Sequence, residues 1–351
     1  MAGNVKEWCW NKVAVDKRCI LGGSWEEPNY LFWHSDAQGA MHRLPTCGFR
    51  CVRYLSEPLP QAAFADVPAE QQDFHKETPV SDEQFRFIRT AFAYDKGPLN
   101  SEVTSRKEFA GHIHETVQFD AAYGSEKVPG HLYLPRNARS PYQTVIFFPA
   151  VWPYFPHGEE PPEAIAFLVK SGRAVFWPIY KGTFERIPGW SRPGWSNRRD
   201  LCIQMFKDYF SSIDYLEQRT DLDVQKLGYF SISGGGCWGA LLLALDDRAK
   251  VAVFADGGFG YHSDETPFLE LATINFAPRV KMPVLMINGR HDPIFPLETS
   301  QRPLFELLGT SKKDKSHRVF DGGHGVPMKI VAQEALPWLD KYLGAVRQEA
   351  K

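Results

Sequence analysis

The stretch 227–243, which reads LGYFSISGGGCWGALLL, decides the fold expected for this chain. Its apolar start predicts a short buried strand, its small central residues predict a tight turn, and its apolar end predicts a helix. Ser233 lies at the apex of the turn, with Ser231 two residues before it and Gly235 two residues after it. A sharp strand-to-helix turn crowds both flanks against the neighbouring chain, so the flanking residues must be small. Ser233 is therefore a candidate nucleophile.

A glycine-rich turn could instead bind phosphate. No Lys-Ser or Lys-Thr pair follows the glycines at 234–236, as it does in a P-loop. The turn therefore favours nucleophilic chemistry over phosphate binding.

The composition excludes several classes of function. The 351 residues are 43% hydrophobic, which suffices for one large domain and an appendage. A formal net charge of −2 gives no bulk attraction to nucleic acid or to an anionic membrane. No apolar run has the length of a membrane span, and the first residues lack the apolar core of a signal peptide. We therefore expect a cytoplasmic protein that acts on a small molecule, and the sequence leaves its oligomeric state open.

The cysteines give no sign of a metal site. Four of the six, Cys9, Cys19, Cys47 and Cys51, lie within the first 51 residues. No C-x-x-C pair occurs among them, and their spacings fit no standard zinc module. We expect no metal, no cofactor and no disulfide.

The chain divides into three segments. Residues 1–54 are rich in Trp, Gly and Cys, and residues 55–110 combine a Pro-containing linker with an amphipathic helix predicted at 81–94. Residues 111–351 open with a hairpin predicted at 114–119 and 128–134 and continue with alternating strands and helices. The strands are predicted at 144–148, 174–178, 227–232, 251–255, 283–289 and 317–320, and the helices at 163–170, 199–217, 234–243 and 330–343. This alternation predicts an α/β fold with a mostly parallel sheet covered by helices on both faces, plus a small N-terminal appendage.

Two further residues complete a candidate catalytic site. A serine hydroxyl needs a base to accept its proton, and the base needs a group that fixes its tautomer. Asp292 follows the strand predicted at 283–289, and His324 follows the strand predicted at 317–320. Ser233, Asp292 and His324 are therefore predicted to act together as nucleophile, acid and base.

Each partner has an alternative interpretation. Asp292 could be a turn aspartate before Pro293, and His324 a histidine in a glycine-rich loop. Asp256, after the preceding strand, is the second candidate for the acid. His291 is adjacent to Asp292 and is expected to point away from the serine.

Ser233, Asp292 and His324 occur in this order along the chain, and residues 111–346 resemble the α/β-hydrolase superfamily. The resemblance is greatest to dienelactone hydrolases and prolyl-oligopeptidase-like esterases. The resemblance rests on the small-x-Ser-x-Gly turn and on the chain order serine, acid, histidine. It implies an acyl-serine mechanism with neither a metal nor an organic cofactor. The chain departs from the family at 148–152, where Phe-Pro-Ala-Val-Trp stands in place of the common His-Gly pair.

The oxyanion of an acyl-transfer reaction needs two backbone N–H donors. Gly234, next to the nucleophile, is predicted to supply one donor. Val151 is the first candidate for the other donor and Trp152 the next, whereas Pro149 has no N–H and is excluded.

Loops at the same sheet edge supply candidate substrate contacts. Their aromatic residues either bind an apolar acyl group or pack loop against loop: Trp152, Tyr154, Phe155, Trp190, Trp195, Phe259 and Tyr261. Lys181, Glu185 and Arg186 are expected to pair with one another rather than to recognise a charge on the substrate.

The N-terminal segment resembles the end of a formylglycine-generating (sulfatase-modifying) enzyme domain. The resemblance rests on GNVKEWCW at 3–10, LGGSW at 21–25 and GFR at 48–50. The copper-binding cysteine pair of that family would fall near 30–35, which contains no cysteine. We expect a non-catalytic remnant that docks on the main domain, because some fifty residues could hardly bury so many aromatics alone.

The sequence thus predicts a serine hydrolase of carboxylic esters, of aromatic or short acyl type. Two alternatives stay open at this point. One is a peptidase or acyl-peptidase of the prolyl-oligopeptidase type, and the other is a non-catalytic module of a larger multidomain protein.

Overall fold

A computed structural model of the protein describes residues 4–14, 17–25, 32, 36–55, 60–67, 72–149, 158–159, 161–186, 195–260 and 268–346. Its N-terminal part forms a four-stranded sheet in the order β3-β2-β1-β4. The strands are β1 (Lys6–Ala14), β2 (Lys17–Leu21), β3 (Asp36–Gly39) and β4 (Cys47–Gly48). A buried ion pair between Lys6 and Asp36, 2.8 Å apart, joins β1 to the first residue of β3.

The larger sheet has nine strands in the order β13-β12-β11-β10-β8-β9-β7-β6-β5. They are β5 (Glu102–Glu108), β6 (His112–Asp120), β7 (Lys127–Pro135), β8 (Tyr142–Phe148), β9 (Ala174–Pro178), β10 (Leu222–Ile232), β11 (Val251–Ala255), β12 (Val284–Gly289) and β13 (Lys315–Phe320). β8 to β13 pair in parallel, whereas β5, β6 and β7 pair antiparallel and β7 runs antiparallel to β9. The mostly parallel sheet is as predicted.

Helices cover both faces of this sheet. They are α1 (Asp82–Arg89), α2 (Glu163–Lys170), α3 (Trp195–Glu217), α4 (Gly234–Leu245), α5 (Arg302–Leu307) and α6 (Met328–Leu343), with a π-helical turn at Leu297–Gln301 before α5. Short 3-10 turns lie at Gln61–Phe64, Phe74–Lys76, Thr90–Phe92, Phe184–Arg186, Thr273–Asn275, Ala277–Arg279 and Lys312–Asp314. Among the helices of the described ranges, none is both long enough and apolar enough to cross a bilayer.

Alternation along β10 divides the core into two layers. Successive side chains of a strand point to opposite faces of the sheet. Tyr229 accordingly packs in the cluster that contains α1, α3 and α4, and Phe230 packs in the cluster that contains α2 and α6. Both side chains are fully buried, so the strand that leads into the Ser233 turn is fixed from above and below.

Several predicted bounds match the structure to the residue: α2, β9 and β11. The predicted helix at 81–94 is shorter than expected, since α1 ends at Arg89 and a 3-10 turn follows. Its start has a capping box, in which the Ser81 and Gln84 side chains each accept the other residue's backbone N–H. β5 was not predicted, and α3 begins four residues earlier than expected.

Candidate active site

Ser233 lies in the turn between β10 and α4 with φ 54° and ψ −112°. A non-glycine residue held in such a region costs on the order of 1–3 kcal/mol. The Ser233 N–H donates to the carbonyl of Ala255 at 2.8 Å, and the Ser233 carbonyl accepts the N–H of Gly236 at 2.9 Å. These bonds fix the strained turn from both sides.

Close backbone contacts explain the glycines after Ser233. A Cβ on Gly235 would lie 2.4 Å from the carbonyl oxygen of Phe148, and one on Gly236 would lie 2.8 Å from Cα of Gly257. The glycines at 234, 236 and 239 also have the Gly-x-Gly-x-x-Gly spacing of a dinucleotide-binding loop. Packing accounts for the glycines at 236 and 239 without a ligand.

The structure brings the three predicted catalytic residues together. His324 Nε2 lies 2.9 Å from Ser233 Oγ, and His324 Nδ1 lies 2.8 Å from Asp292 Oδ2. The side chains of His324 and Asp292 are 1% and 0% exposed, whereas Ser233 is partly exposed. A hydrogen-bonded chain therefore runs from a buried carboxylate to a hydroxyl that a ligand can reach.

The second carboxylate oxygen of Asp292 is held by the backbone. Asp292 Oδ1 accepts the N–H groups of Ile294 at 2.8 Å and Phe295 at 2.9 Å. The ring of Phe295 also lies against His324, with centroids 5.8 Å apart. The carboxylate is thereby oriented before any substrate arrives.

Main-chain bonds join the loop that carries Asp292 to the loop that carries His324. The N–H of Arg290 donates to the Phe320 carbonyl at 2.7 Å, and the N–H of His291 donates to the Gly322 carbonyl at 2.8 Å. Gly289 permits this approach, because a Cβ there would lie 2.0 Å from the carbonyl oxygen of Gly323. The two loops form one rigid unit at the carboxyl ends of β12 and β13.

The electrostatics of the site favour a charged imidazole. Burial alone would lower the pKa of His324, but attraction and the hydrogen bond to Asp292, with a further contribution from Asp256, raise its pKa above the usual value. The site thus stabilises the imidazolium that forms when the ring takes a proton.

Asp256, the second candidate for the acid, lies beside this pair rather than in it. Its Oδ2 accepts the N–H of Val326 at 2.9 Å, and a carboxylate oxygen lies within 4.8 Å of the facing atoms of Asp292 and His324. Burial raises the pKa of Asp256 to about 6, opposed by attraction to His324. Asp256 therefore adds a second acidic group next to the imidazole.

His291 points away from Ser233, as expected, and its Nε2 lies 3.0 Å from Oδ1 of Asp321. Burial lowers the pKa of His291, while Asp321 acts in the opposite direction. Its ring lies against His42 of the N-terminal segment, with centroids 4.4 Å apart.

Gly234 is the first residue of α4. The first N–H groups of a helix have no intrahelical acceptor and are free to bind an anion. Val151, the other predicted oxyanion donor, falls outside the described residues.

Most of the predicted substrate contacts also fall outside the described residues: Trp152, Tyr154, Phe155, Trp190 and Tyr261. Trp195 is the first residue of α3. Phe259 is 1% exposed and packs against Phe74, with centroids 5.0 Å apart. This ring therefore lies in the core rather than along an open wall.

The charged residues after β9 do not pair with one another as expected. Arg186 bonds to Asp208 at 2.5 Å, and Lys181 pairs with Glu126 at 2.5 Å. Tyr123 and the Lys181 N–H complete the shell of Asp208, whose side chain is 0% exposed. Burial raises the pKa of Asp208 to about 6, and Arg186 opposes this rise. Asp208 is not among the residues predicted from the sequence. An acid flanked by apolar residues at 205–206 and 209–210 of a predicted helix nevertheless indicates a buried carboxylate that needs a partner.

Comparison with known proteins gives the fold. No protein-family model matches the chain. YtaP of Bacillus subtilis (strain 168), whose name designates it a hydrolase, is 25% identical over 293 residues, which are 71% of this chain and 94% of that protein. The resemblance of residues 1–54 to a formylglycine-generating enzyme finds no support in these comparisons.

Two solved structures agree with the architecture. An acetyl xylan esterase from a Paenibacillus species matches with a TM-score of 0.59 at 17% identity, over 76% of this chain and 96% of that chain. Acetyl xylan esterase 1 from a Thermoanaerobacterium species matches with a TM-score of 0.60 at 16% identity, over 79% and 99%. The protein has the α/β-hydrolase fold.

Proposed function

We propose that this protein is a serine hydrolase that cleaves carboxylic esters through an acyl-serine intermediate. The observation that carries the proposal is the hydrogen-bonded chain from Asp292 through His324 to Ser233, with distances of 2.8 Å and 2.9 Å. Nucleophile, base and orienting acid are the three parts that acyl transfer to serine needs.

The chemistry proceeds in two halves. His324 Nε2 accepts the Ser233 hydroxyl proton as Oγ bonds to the ester carbonyl carbon, and the N–H groups of Gly234 and Val151 bind the oxyanion. The imidazolium then gives its proton to the leaving alcohol as the C–O bond breaks. The same nitrogen then takes a proton from a water molecule, whose oxygen bonds to the acyl carbon. The bond from that carbon to Ser233 Oγ breaks, Oγ takes back the proton from the imidazolium, and the acid is released. Asp292 keeps the ring proton on Nδ1 throughout.

The substrates we infer are esters of short acyl groups, including acetylated sugars. Both solved structures described above are named as acetyl xylan esterases, and YtaP is named as a hydrolase. The two esterase names support an ester as the substrate, whereas the name of YtaP specifies only hydrolysis. Residues 1–54 are inferred to dock on the catalytic domain without a part in the chemistry, which the contact of His42 with His291 supports.

The test compares Ser233→Ala with Ser231→Ala in the hydrolysis of p-nitrophenyl acetate and butyrate. Both variants remove a hydroxyl close to the turn, Ser231 from the end of β10 and Ser233 from the turn itself, and the hydrogen bond to His324 is made by Ser233. We expect Ser233→Ala to lose at least about 10³-fold in kcat and its labelling by a fluorophosphonate, while Ser231→Ala keeps both. Full activity of Ser233→Ala rejects the mechanism. Aminoacyl anilides turned over faster than esters would favour the peptidase, and a wild type with neither turnover nor labelling would favour the binding module.

A further inference from the structure

Three potential metal ligands meet where the N-terminal segment contacts the catalytic loops. They are His42, which follows β3, His291, which follows β12, and Asp321, which follows β13. One ligand atom from each lies within 4.8 Å of the others. None of the three belongs to the hydrogen-bonded chain of the candidate active site.

Two of the donor atoms are close to the separation that a zinc ion requires, and the third lies within 4.8 Å of both. Two ligands at 2.0–2.1 Å from a tetrahedral zinc ion are about 3.3 Å apart. His291 Nε2 and Asp321 Oδ1 are 3.0 Å apart. The His42 ring lies against His291, with centroids 4.4 Å apart, and one of its ring nitrogens lies within 4.8 Å of the other two donor atoms.

The third ligand is already oriented by a buried neighbour. His42 Nδ1 lies 2.8 Å from Oε1 of Gln38, and the Gln38 side chain is buried in β3. Because an amide oxygen only accepts, it fixes the proton on Nδ1 and leaves the lone pair on Nε2. Metal-bound histidines are held by such a second bond on the opposite nitrogen.

We propose that His42, His291 and Asp321 bind one zinc ion, which ties the N-terminal segment to the loops that carry Asp292 and His324. Two imidazoles and one carboxylate suit zinc better than magnesium or calcium, which prefer oxygen ligands. The three ligands come from three separate loops, so the ion cross-links them. Water fills the remaining coordination position.

The test measures Zn²⁺ and Co²⁺ uptake by the full chain after treatment with a chelator. We expect one ion per chain and a Co²⁺ spectrum without thiolate charge-transfer bands, which separates this site from the six free cysteines. We expect His42→Ala and Asp321→Asn each to weaken binding by at least about tenfold, since the loss of an outer partner alone costs that much. Zn²⁺ at a hundredfold excess over Kd should raise the Tm of the wild type by roughly 5 °C.

His75→Ala is the matched control, because His75 is an exposed histidine 3.7 Å from the Glu306 carboxylate and belongs to no cluster of three potential metal ligands among the described residues. We expect it to bind like the wild type. The proposal is overturned if the wild type takes up no ion, if His42→Ala binds as well as the wild type, or if the Co²⁺ spectrum shows thiolate ligands. Metal uptake is measured without turnover. A protein that binds no metal would therefore not contradict the proposed ester hydrolysis.

Discussion

Replacing Asp292 by Asn tests how the candidate site holds its proton. Asp292 Oδ1 accepts two backbone N–H groups, and Oδ2 faces Nδ1 of His324. In Asp292→Asn the amide oxygen keeps the two N–H bonds, so the NH₂ group turns toward Nδ1. An NH₂ donor requires Nδ1 to accept, which moves the ring proton to Nε2. Nε2 then faces Ser233 Oγ with a proton already on it, and so it has no lone pair to accept the hydroxyl proton of Ser233.

The size of the effect depends on Asp256. A wrong tautomer in such a triad costs about 10⁴ in kcat, which corresponds to about 5.4 kcal/mol. Here a second carboxylate lies within 4.8 Å of the ring and of the replaced group, and it stabilises an imidazolium even when Asp292 is gone. We therefore expect a loss of about 10³ in Asp292→Asn and of about 10⁴ when Asp256→Asn is added.

The assay is kcat for p-nitrophenyl acetate at pH 8, which lies above the pKa of about 6 of Asp256. Circular dichroism and Tm show whether each variant folds. A loss of less than tenfold in Asp292→Asn contradicts the tautomer argument. A double variant no slower than the single variant contradicts the part assigned to Asp256.

Three further predictions concern pH and stability. The acidic limb of kcat/KM should lie above pH 6.5 and activity should fall as pH drops through it, because the pKa of His324 is raised and the base must be neutral. Gly235→Ala should lower the free energy of unfolding by at least about 1–3 kcal/mol, because its Cβ would lie 2.4 Å from the Phe148 carbonyl; urea unfolding measures this. Arg186→Met should cost about 3–5 kcal/mol at pH 8, because it leaves the buried carboxylate of Asp208 without its cation. That loss should shrink as pH falls, since burial raises the pKa of Asp208 and the protonated form needs no partner.

Each has a control. A pH limb below 6.5 contradicts the stabilised imidazolium. Gly322→Ala should be near neutral, since no heavy atom lies within 4 Å of its built Cβ. Arg302→Met removes an exposed pair with Glu298 and should cost less than about 1 kcal/mol. If Arg302→Met lowers the free energy of unfolding as much as Arg186→Met does, the burial of Asp208 does not explain the effect of Arg186→Met.

The sequence predicted those elements whose side chains are buried on a regular period. The strands 174–178 and 251–255 are continuous apolar runs and are buried at every position. The three candidate catalytic residues follow the ends of β10, β12 and β13, so their shared sheet edge could be inferred from chain order alone. β5 lacks such an apolar run, since it lies at the edge of the sheet beside β6 and carries polar residues that stay mostly exposed in the described part of the chain.

Partners distant in the chain could not be predicted in this way. Lys181 and Arg186 were expected to pair nearby, but their carboxylates are Glu126 and Asp208, which the fold brings from the β6–β7 turn and from α3. His42 has no sequence signal at all, because its neighbours His291 and Asp321 lie about 250 residues or more further along. The periodicity of the sequence predicts on which face of a strand or helix a residue lies. Its interaction partner depends on the tertiary fold, which the local sequence does not give.

The bonds between the Asp292 loop and the His324 loop have a consequence for how this scaffold could change. Acid and imidazole are secured to each other, while the attacking atom enters from a different turn, the one between β10 and α4. The proton acceptor, His324, and the attacking group, Ser233, are thus held by different parts of the fold. Substitution of the residue at position 233, for instance by one with a thiol, would leave the Asp292–His324 pair in place. A change of one side chain could therefore change the nucleophile while the base is retained.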